Sequence, residues 1–162
     1  MEDKITLGRI KEIHPSLRDE LGRIYSEICN SFPPNVTVRF TQVYRTFKEQ
    51  DSLYAKGRTA AGKKVTNAKA GQSYHNYGFA VDFCIIYNGN EVSWNRTKDY
   101  DRDLVPDWIE VVKIFQSYGW KWGAKFNDYP HFEKTPMNWR GLLKLYNSKQ
   151  FIPGERLRYI KL

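Results

Sequence analysis

Hydrophobic residues recur at helical spacing in three segments of the chain. Apolar positions three or four residues apart predict an amphipathic helix over residues 16–31, which stops before Pro33 and Pro34. The same spacing predicts a helix between Pro106 and Gly119, and a last helix that packs the end of the domain. The apolar positions of the three helices are Leu17, Leu21, Ile24 and Ile28, then Trp108, Val111, Val112 and Phe115, then Trp139, Leu142, Leu143 and Tyr146.

A fourth helix is indicated by its capping residues. Thr46-Phe-Lys-Glu49 matches a capping box, in which the two side chains satisfy each other's free backbone donors, and Gly57 ends the helix. Residues 57–71 are polar and punctuated by glycine, which predicts a long surface loop. Loops of that length in compact domains tend to carry function.

Period-two alternation predicts strands. Residues 79–86 place Asp82 on one face with Ala80 and Cys84, while the large apolar residues occupy the other face. Val36–Val43 is a second strand, and the turn Asn88-Gly89-Asn90 predicts a hairpin into a short strand at residues 92–94. Residues 120–122 and 131–134 complete the set. These elements predict an α+β domain, with a small, mainly antiparallel sheet flanked by helices.

Composition limits the chain to one core. With 162 residues, 41% hydrophobic and 15% aromatic, it has no room for two typical domains. We expect a single domain over residues 1–162, with its core at about 13–148 and a short C-terminal tail. Cys29 and Cys84 are expected to be buried reduced thiols. The N-terminal twenty residues lack the unbroken apolar stretch of a signal peptide or membrane span.

The net charge of +8 favours an anionic partner. Nucleic acid is one candidate, and the anionic polymers of a bacterial wall are another; a soluble protein that is merely basic is the plain alternative. The basic residues are spread along the chain, and no helix-turn-helix, zinc-finger or arginine-rich segment is present. We therefore expect neither nucleic-acid binding nor stable membrane insertion.

Two histidines and two aspartates carry the candidate chemistry. His75, Asp82 and His131 offer imidazole nitrogens and a carboxylate, a ligand set that holds Zn²⁺ and leaves a coordination position open. Asp128 lies three residues before His131 and is the candidate general base. A lone histidine is more often an ordinary core or surface residue, but a carboxylate in the apolar strand around Asp82 is costly to bury without a cation.

The motif Ser73-x-His75-x-x-Gly78-x-Ala80-x-Asp82, followed by Asp128-x-x-His131, resembles the zinc peptidases of the Hedgehog/D,D-peptidase fold. That family includes D-alanyl-D-alanine carboxypeptidases, vancomycin-resistance dipeptidases and L-alanyl-D-glutamate endolysins, and the likeness is strongest to the endolysins. It covers most of the chain, from residue 13 to residue 132.

The resemblance implies roles for individual residues. One Zn²⁺ ion would be bound by His75, Asp82 and His131, with Asp128 as general base and then acid. Arg45 would face the substrate carbonyl or carboxylate, or be an ordinary surface arginine, and Ser73 would bind substrate or only cap the turn before His75. Gln50 is a weaker candidate, expected to be exposed. Glu133 is either a partner of His131 or a solvated edge residue, and His14 is expected to lie outside the site.

The resemblance also implies a function. We expect a peptidase of bacterial peptidoglycan that acts as a monomer and cleaves a stem-peptide amide, above all L-alanyl-D-glutamate. The alternatives are a D-alanyl-D-alanine carboxypeptidase or dipeptidase, and a non-catalytic zinc-holding wall-binding domain. A leaderless phage lysin would accumulate in the cytoplasm and reach the wall after the membrane is permeabilised; a host autolysin would be exported by another route. The segment 122–128 is shorter than in endolysin relatives, which bears on peptide preference.

Overall fold

The structure, a computed structural model, describes residues 2–162 of the chain. Within that range the five helices are α1 (Lys4–Ile10), α2 (Arg18–Ser31), α3 (Phe47–Ala55), α4 (Asp107–Ser117) and α5 (Trp139–Asn147). The five strands of the same range are β1 (Val36–Gln42), β2 (Ala80–Tyr87), β3 (Glu91–Ser93), β4 (Lys121–Trp122) and β5 (His131–Glu133). The predicted α+β class is confirmed.

The helices predicted from spacing and capping are confirmed within a few residues. The capping box of α3 is formed in both directions, with Thr46 accepting from the backbone of Glu49 and Glu49 from the backbone of Thr46. Helix α1 was not predicted. The Asp3 side chain caps it through the backbone N–H of Thr6 and pairs with Arg39 of β1 at 2.8 Å. That helix is therefore stabilised by a contact distant in sequence.

All strand pairs of the sheet are antiparallel, and the strand order is β1-β2-β5-β4, with β3 also on β2. Asp82 stands opposite Gln42 of β1 on one side and opposite His131 of β5 on the other. A bulge lies between Phe40 and Gln42, next to this row. The register thus sets Asp82 and His131 side by side near the start of β2.

The two faces of β2 have different surroundings, as the alternation predicts. Val81, Phe83 and Ile85 are buried in the main core with the inner faces of α2 and α4, and the Phe83 ring lies 4.1 Å from that of Trp108 between centroids. Full burial of such side chains stabilises by roughly 1.5–3 kcal/mol each. Asp82 projects from the opposite face, so the core holds the strand rigid while its carboxylate stays available.

The remaining segments frame this opposite face. The loop after α3 forms no strand or helix through residue 71, as predicted, and the C-terminal tail folds back so that Ile160 is buried with Tyr77, Phe79 and Leu142. Cys29 and Cys84 form no disulfide. None of the helices within residues 2–162 is long and apolar enough to cross a membrane.

Candidate active site

His75 is held in one orientation by its own backbone turn and by β1. It lies in a short 3₁₀ turn, Tyr74–Tyr77, which Ser73 caps and Gly78 ends at a φ of +74°. A Cβ atom on Gly78 would lie 2.7 Å from the backbone nitrogen of His14, so only glycine fits this close approach. The Nδ1 atom of His75 is 2.8 Å from the carbonyl oxygen of Val43 and donates to it.

This hydrogen bond fixes the proton of the His75 ring on Nδ1 and leaves a lone pair on Nε2. The ring is 3% exposed, and Nε2 has no hydrogen-bond partner within the described chain, although it lies 3.2 Å from Oδ1 of Asp82. A buried acceptor that faces a carboxylate oxygen is unfavourable unless a cation lies between them.

His131 offers its own nitrogen to the same carboxylate. Its Nδ1 is 3.0 Å from Oδ1 of Asp82, and its Nε2 is 3.0 Å from Oε2 of Glu133. Glu133 can only accept when it is ionised, so it holds a proton on Nε2 and leaves Nδ1 directed towards Asp82. The ligand atoms of His75, Asp82 and His131 all lie within 4.8 Å of one another.

The donor set therefore fits a zinc ion. Two imidazole nitrogens and one carboxylate oxygen are ligands that Zn²⁺ accepts in sites that keep a position open for water or substrate. The partnerless Nε2 of His75 is the observation in this structure that calls for a cation. The hydrogen bond from His131 to Glu133 is the kind of outer contact that orients a metal-binding imidazole.

The charges of the site shift the pKa values of its members. Burial would raise the pKa of Asp82, but the two imidazoles outweigh burial and hold that pKa far below its usual range. For His131, burial lowers the pKa, but hydrogen bonds to Asp82 and Glu133 together raise it to about 10. Both pKa shifts show that positive charge is strongly favoured beside the Asp82 carboxylate.

Asp128 reaches the site from the segment before β5. Its backbone N–H donates to the carbonyl of Gly123 at 3.1 Å, and a Cβ atom on Gly123 would lie only 2.4 Å from the carbonyl oxygen of Asp128. The carboxylate is 57% exposed, and its Oδ2 lies 3.9 Å from Nδ1 of His131. Burial and the charge of Asp82 raise the pKa of Asp128, although the neighbouring cations oppose that rise. A raised pKa suits a group that accepts and returns a proton.

Arg45 is a largely buried cation beside these carboxylates. Its side chain is 13% exposed, its Nη2 lies 4.0 Å from Oδ2 of Asp82, and its Nε has no partner among residues 2–162. Burial lowers the pKa of the guanidinium, while the charges of Asp82, Glu49 and Asp128 counteract that effect. The arginine follows β1 in the loop before α3, and it is not an ordinary surface residue.

The expectation that Gln50 is exposed is wrong. Gln50 has no exposed surface, accepts from Nη1 of Arg45 at 3.0 Å and donates to the carbonyl of Ala68 at 2.7 Å. It therefore ties the guanidinium to the loop that follows α3. The signal was in the spacing, because Gln50 shares one helical face with Phe47 and Tyr54, which are both half-buried.

The other candidates are placed as follows. Ser73 caps the turn that presents His75, with its Oγ accepting from the His75 backbone at 3.3 Å, and it also lines the cleft. Glu133, left open by the sequence, contacts His131. Strand alternation places Glu133 and His131 on one face, so this contact could be predicted from the sequence. His14 lies outside the site, where it stacks on Phe79 and bonds to the carbonyl of Ile160.

A cleft of about 440 Å³ is lined by His75, Asp82, Asp128 and His131, together with Arg45 and Ser73. A neighbouring depression of about 390 Å³ shares Arg45 and Leu53 with this cleft and contains Lys48 and Lys56. On the other side, a groove of about 830 Å³ shares Asp128 and His131 with it and is lined further by aromatic and basic side chains. These additional side chains include Trp120, Lys121, Trp122, Lys125 and Phe126. The cleft, the depression and the groove share lining residues, so together they form an open channel around the ligand group.

Comparison with known proteins is consistent with this site. A family model described as D-alanyl-D-alanine carboxypeptidase matches residues 66–134, a range that contains all four motif residues. The peptidoglycan L-alanyl-D-glutamate endopeptidase CwlK of Bacillus subtilis (strain 168) is 38% identical to this chain over 128 residues. The aligned part covers 77% of this chain and 75% of that protein.

Proposed function

The chain belongs to the M15 family of peptidases, and within that family we propose that it is a zinc-dependent peptidoglycan peptidase that cleaves the L-alanyl-D-glutamate bond of stem peptides. One observation carries the proposal: Nε2 of His75 and Nδ1 of His131 converge on the Asp82 carboxylate. That convergence lies in the open channel, beside a fourth residue, Asp128, which suits proton transfer.

His75 Nε2, Asp82 Oδ1 and His131 Nδ1 would hold the zinc ion, with the backbone of Val43 and the carboxylate of Glu133 orienting the two rings. Zinc in such a site acts as a Lewis acid on a carbonyl and makes water nucleophilic at neutral pH. The remaining steps fall to the side chains around it.

Asp128 moves the proton. Its carboxylate is half exposed to the channel, close to His131 and raised in pKa, so it can take a proton from the attacking water. The resulting carboxylic acid then donates that proton to the amine that leaves. A purely structural metal site has no need of such a group, which is why the retention of Asp128 argues against a non-catalytic wall-binding domain.

Arg45 and Ser73 bind the substrate. The free Nε–H of Arg45 is buried at the cleft wall and can donate to a substrate carbonyl or carboxylate, and Gln50 keeps the guanidinium plane in position. Ser73 accepts a backbone hydrogen bond, so its hydroxyl hydrogen is available for the substrate. The net charge of +8 supports attraction to an anionic wall.

The course of the channel supports an endopeptidase over a carboxypeptidase. A carboxypeptidase needs a closed pocket around a terminal carboxylate, whereas here depressions continue past Arg45 on one side and past Asp128 on the other. The related Bacillus subtilis protein is named for the L-alanyl-D-glutamate bond. A D-alanyl-D-alanine carboxypeptidase is the second candidate, because the matching family model carries that description.

Digestion of purified peptidoglycan tests the proposal. The zinc-loaded protein is incubated with sacculi in the presence and absence of 1,10-phenanthroline, and the products are analysed by mass spectrometry. We expect new N-terminal D-glutamate on intact glycan strands, and none with the chelator or with the Asp128→Asn variant. Free D-alanine would instead support the carboxypeptidase, and the absence of any chelator-sensitive cleavage would contradict both.

A further inference from the structure

A second group of metal-type ligands lies outside the active site, in the loop that leads into α4 and in the first turn of that helix. Five of the 18 acidic residues of the chain fall within twelve consecutive positions. The acidic residues of this segment, here called the acidic loop, are Asp99, Asp101, Asp103, Asp107 and Glu110. Oxygen atoms of Asp99, Asp101 and Asp107 lie within 4.8 Å of one another, and so do those of Asp101, Asp103 and Glu110.

The spacing of these acids is that of a calcium-binding loop. An EF-hand loop places its ligands at positions 1, 3, 5, 7, 9 and 12, with a backbone carbonyl at position 7 and a glutamate at position 12. Counted from Asp99, the acids occupy positions 1, 3, 5, 9 and 12. Val105 takes position 7, and α4 begins at Asp107, position 9.

Two carboxylates of the acidic loop, the half-buried Glu110 and the buried Asp107, have no cationic partner in the described part of the chain. Glu110 Oε2 is completely buried and has no hydrogen-bond partner anywhere in residues 2–162. Asp107 has no exposed surface, and its neutral donors are the hydroxyl of Tyr87 at 2.6 Å and the backbone of Tyr100 at 3.0 Å. Over the described residues, no Lys, Arg or His forms an ion pair with either carboxylate.

A buried carboxylate without a counter-ion is costly, and a buried oxygen without a donor adds to that cost. Glu110 stands at position 12, where a calcium loop has its essential carboxylate, so the unpartnered oxygen and the register indicate the same ligand.

We propose that the acidic loop binds one Ca²⁺ ion through the carboxylates of Asp99, Asp101, Asp103 and Glu110. Asp107 takes position 9 of the loop, where the hydrogen bonds described above hold its carboxylate. An all-oxygen ligand set suits a hard cation rather than zinc, and the spacing of the ligands is that of a Ca²⁺ loop rather than of a typical Mg²⁺ site. The ion would stabilise the start of α4, whose Trp108 and Val111 belong to the main core. This site is independent of the peptidase reaction.

The test uses the zinc-loaded full chain in buffer freed of calcium by a chelating resin. Calcium is titrated by isothermal calorimetry, and melting temperature is followed in parallel. We expect one ion per chain with a Kd on the order of 10⁻⁴ M or tighter. At about ten times that Kd, the melting temperature should rise by roughly 3–5 °C.

Three controls make the result specific. Asp101→Asn and Asp103→Asn, both at exposed positions, should each weaken calcium binding at least tenfold. The matched variant Asp19→Asn, an exposed acid on α2, should bind as the parent does. Magnesium at equal concentration should give less than half of the thermal shift. Absence of saturable calcium binding, binding unchanged in both loop variants, or an equal shift with magnesium would each overturn the proposal.

Discussion

Two ligand groups lie towards opposite ends of β2, and they are built in opposite ways. Asp82 near the start of the strand belongs to the active-site group, while Tyr87 at its end donates to Asp107 of the acidic loop. Asp82 and Tyr87 are five positions apart, roughly 16 Å along the strand. The first group joins side chains from positions 75, 82 and 131, whereas the second lies within twelve consecutive residues.

The difference shows how assembly and ligand chemistry go together. The active-site group contains nitrogen, is held by strands and a capped turn, and exists only when the whole sheet is formed. The acidic loop contains only oxygen ligands, and hydrogen bonds from its own backbone shape it, as when Arg102 and Leu104 donate to Asp99. A rigid site of mixed donors suits catalysis by zinc, and a local site of carboxylates suits a structural hard cation.

Selective metal removal should separate the two groups most sharply. Treatment with 1,10-phenanthroline should abolish peptidoglycan hydrolysis, because the zinc proposed at His75, Asp82 and His131 would be lost. Zinc should restore the activity, and millimolar calcium should not. The measurement is release of new amino termini from sacculi. Restoration by calcium alone would mean that the two groups do not differ as described here.

Replacement of the proton-transfer group should have the next largest effect. Asp128→Asn keeps the size of the side chain but removes the base, so kcat should fall by about 10²–10⁴-fold. Zinc content, measured by atomic absorption, should remain one ion per chain. Asp19→Asn removes the same charge on the surface of α2 and should leave kcat unaltered. Substantial activity in Asp128→Asn would assign the proton transfer to another residue.

Glu133 should have a smaller effect, through His131. Loss of its hydrogen bond to Nε2 in Glu133→Ala should weaken zinc affinity by about 10–100-fold. Glu133→Gln keeps an acceptor oxygen and should lose less. A competition titration with a chromophoric chelator measures both variants. Equal zinc affinity in Glu133→Ala and the parent would show that the carboxylate does not orient the ring.

The smallest expected change concerns the backbone of the acidic loop. Leu104 is 91% exposed and has a φ of +78°, at the sixth loop position, where EF-hand loops carry glycine. Glycine adopts this conformation without steric cost, so Leu104→Gly should raise the melting temperature by about 2–4 °C. Leu104→Ala retains the unfavourable φ and is the matched control. An equal rise in both variants would show that the exposed apolar side chain, and not the backbone, is responsible.

The sequence was informative where one local pattern determines the outcome. The alternation along β2 predicted that Asp82 leaves the core, and the capping box predicted the start of α3, because both depend on neighbouring residues alone. Helix α1 was missed since its stability comes from the contact between Asp3 and Arg39, 36 positions apart. The burial of Gln50 was not predicted because polar residues are usually exposed. Its side chain is buried because two hydrogen bonds satisfy it in the interior.

The acidic loop is a different case, since its spacing is visible in the printed sequence. The net charge of +8 favours an anionic partner and gives no indication of a local group of acids. Only the buried oxygen of Glu110 and the buried carboxylate of Asp107 separate a ligand set from an ordinary solvated acidic turn. The burial of these groups is a property of the tertiary structure, because α4 and Tyr87 bring it about.

Asp82 of β2 pairs with His131 of β5, so the active site forms only when these two strands are in the correct register. Side chains alternate between faces, so a slip of one residue would send the two groups to opposite sides of the sheet. The same slip would move Val81 and Phe132 out of the core, and both are fully buried. Uptake of zinc during refolding should therefore follow correct sheet formation, and a misregistered chain would neither bind the metal nor act prematurely on its substrate.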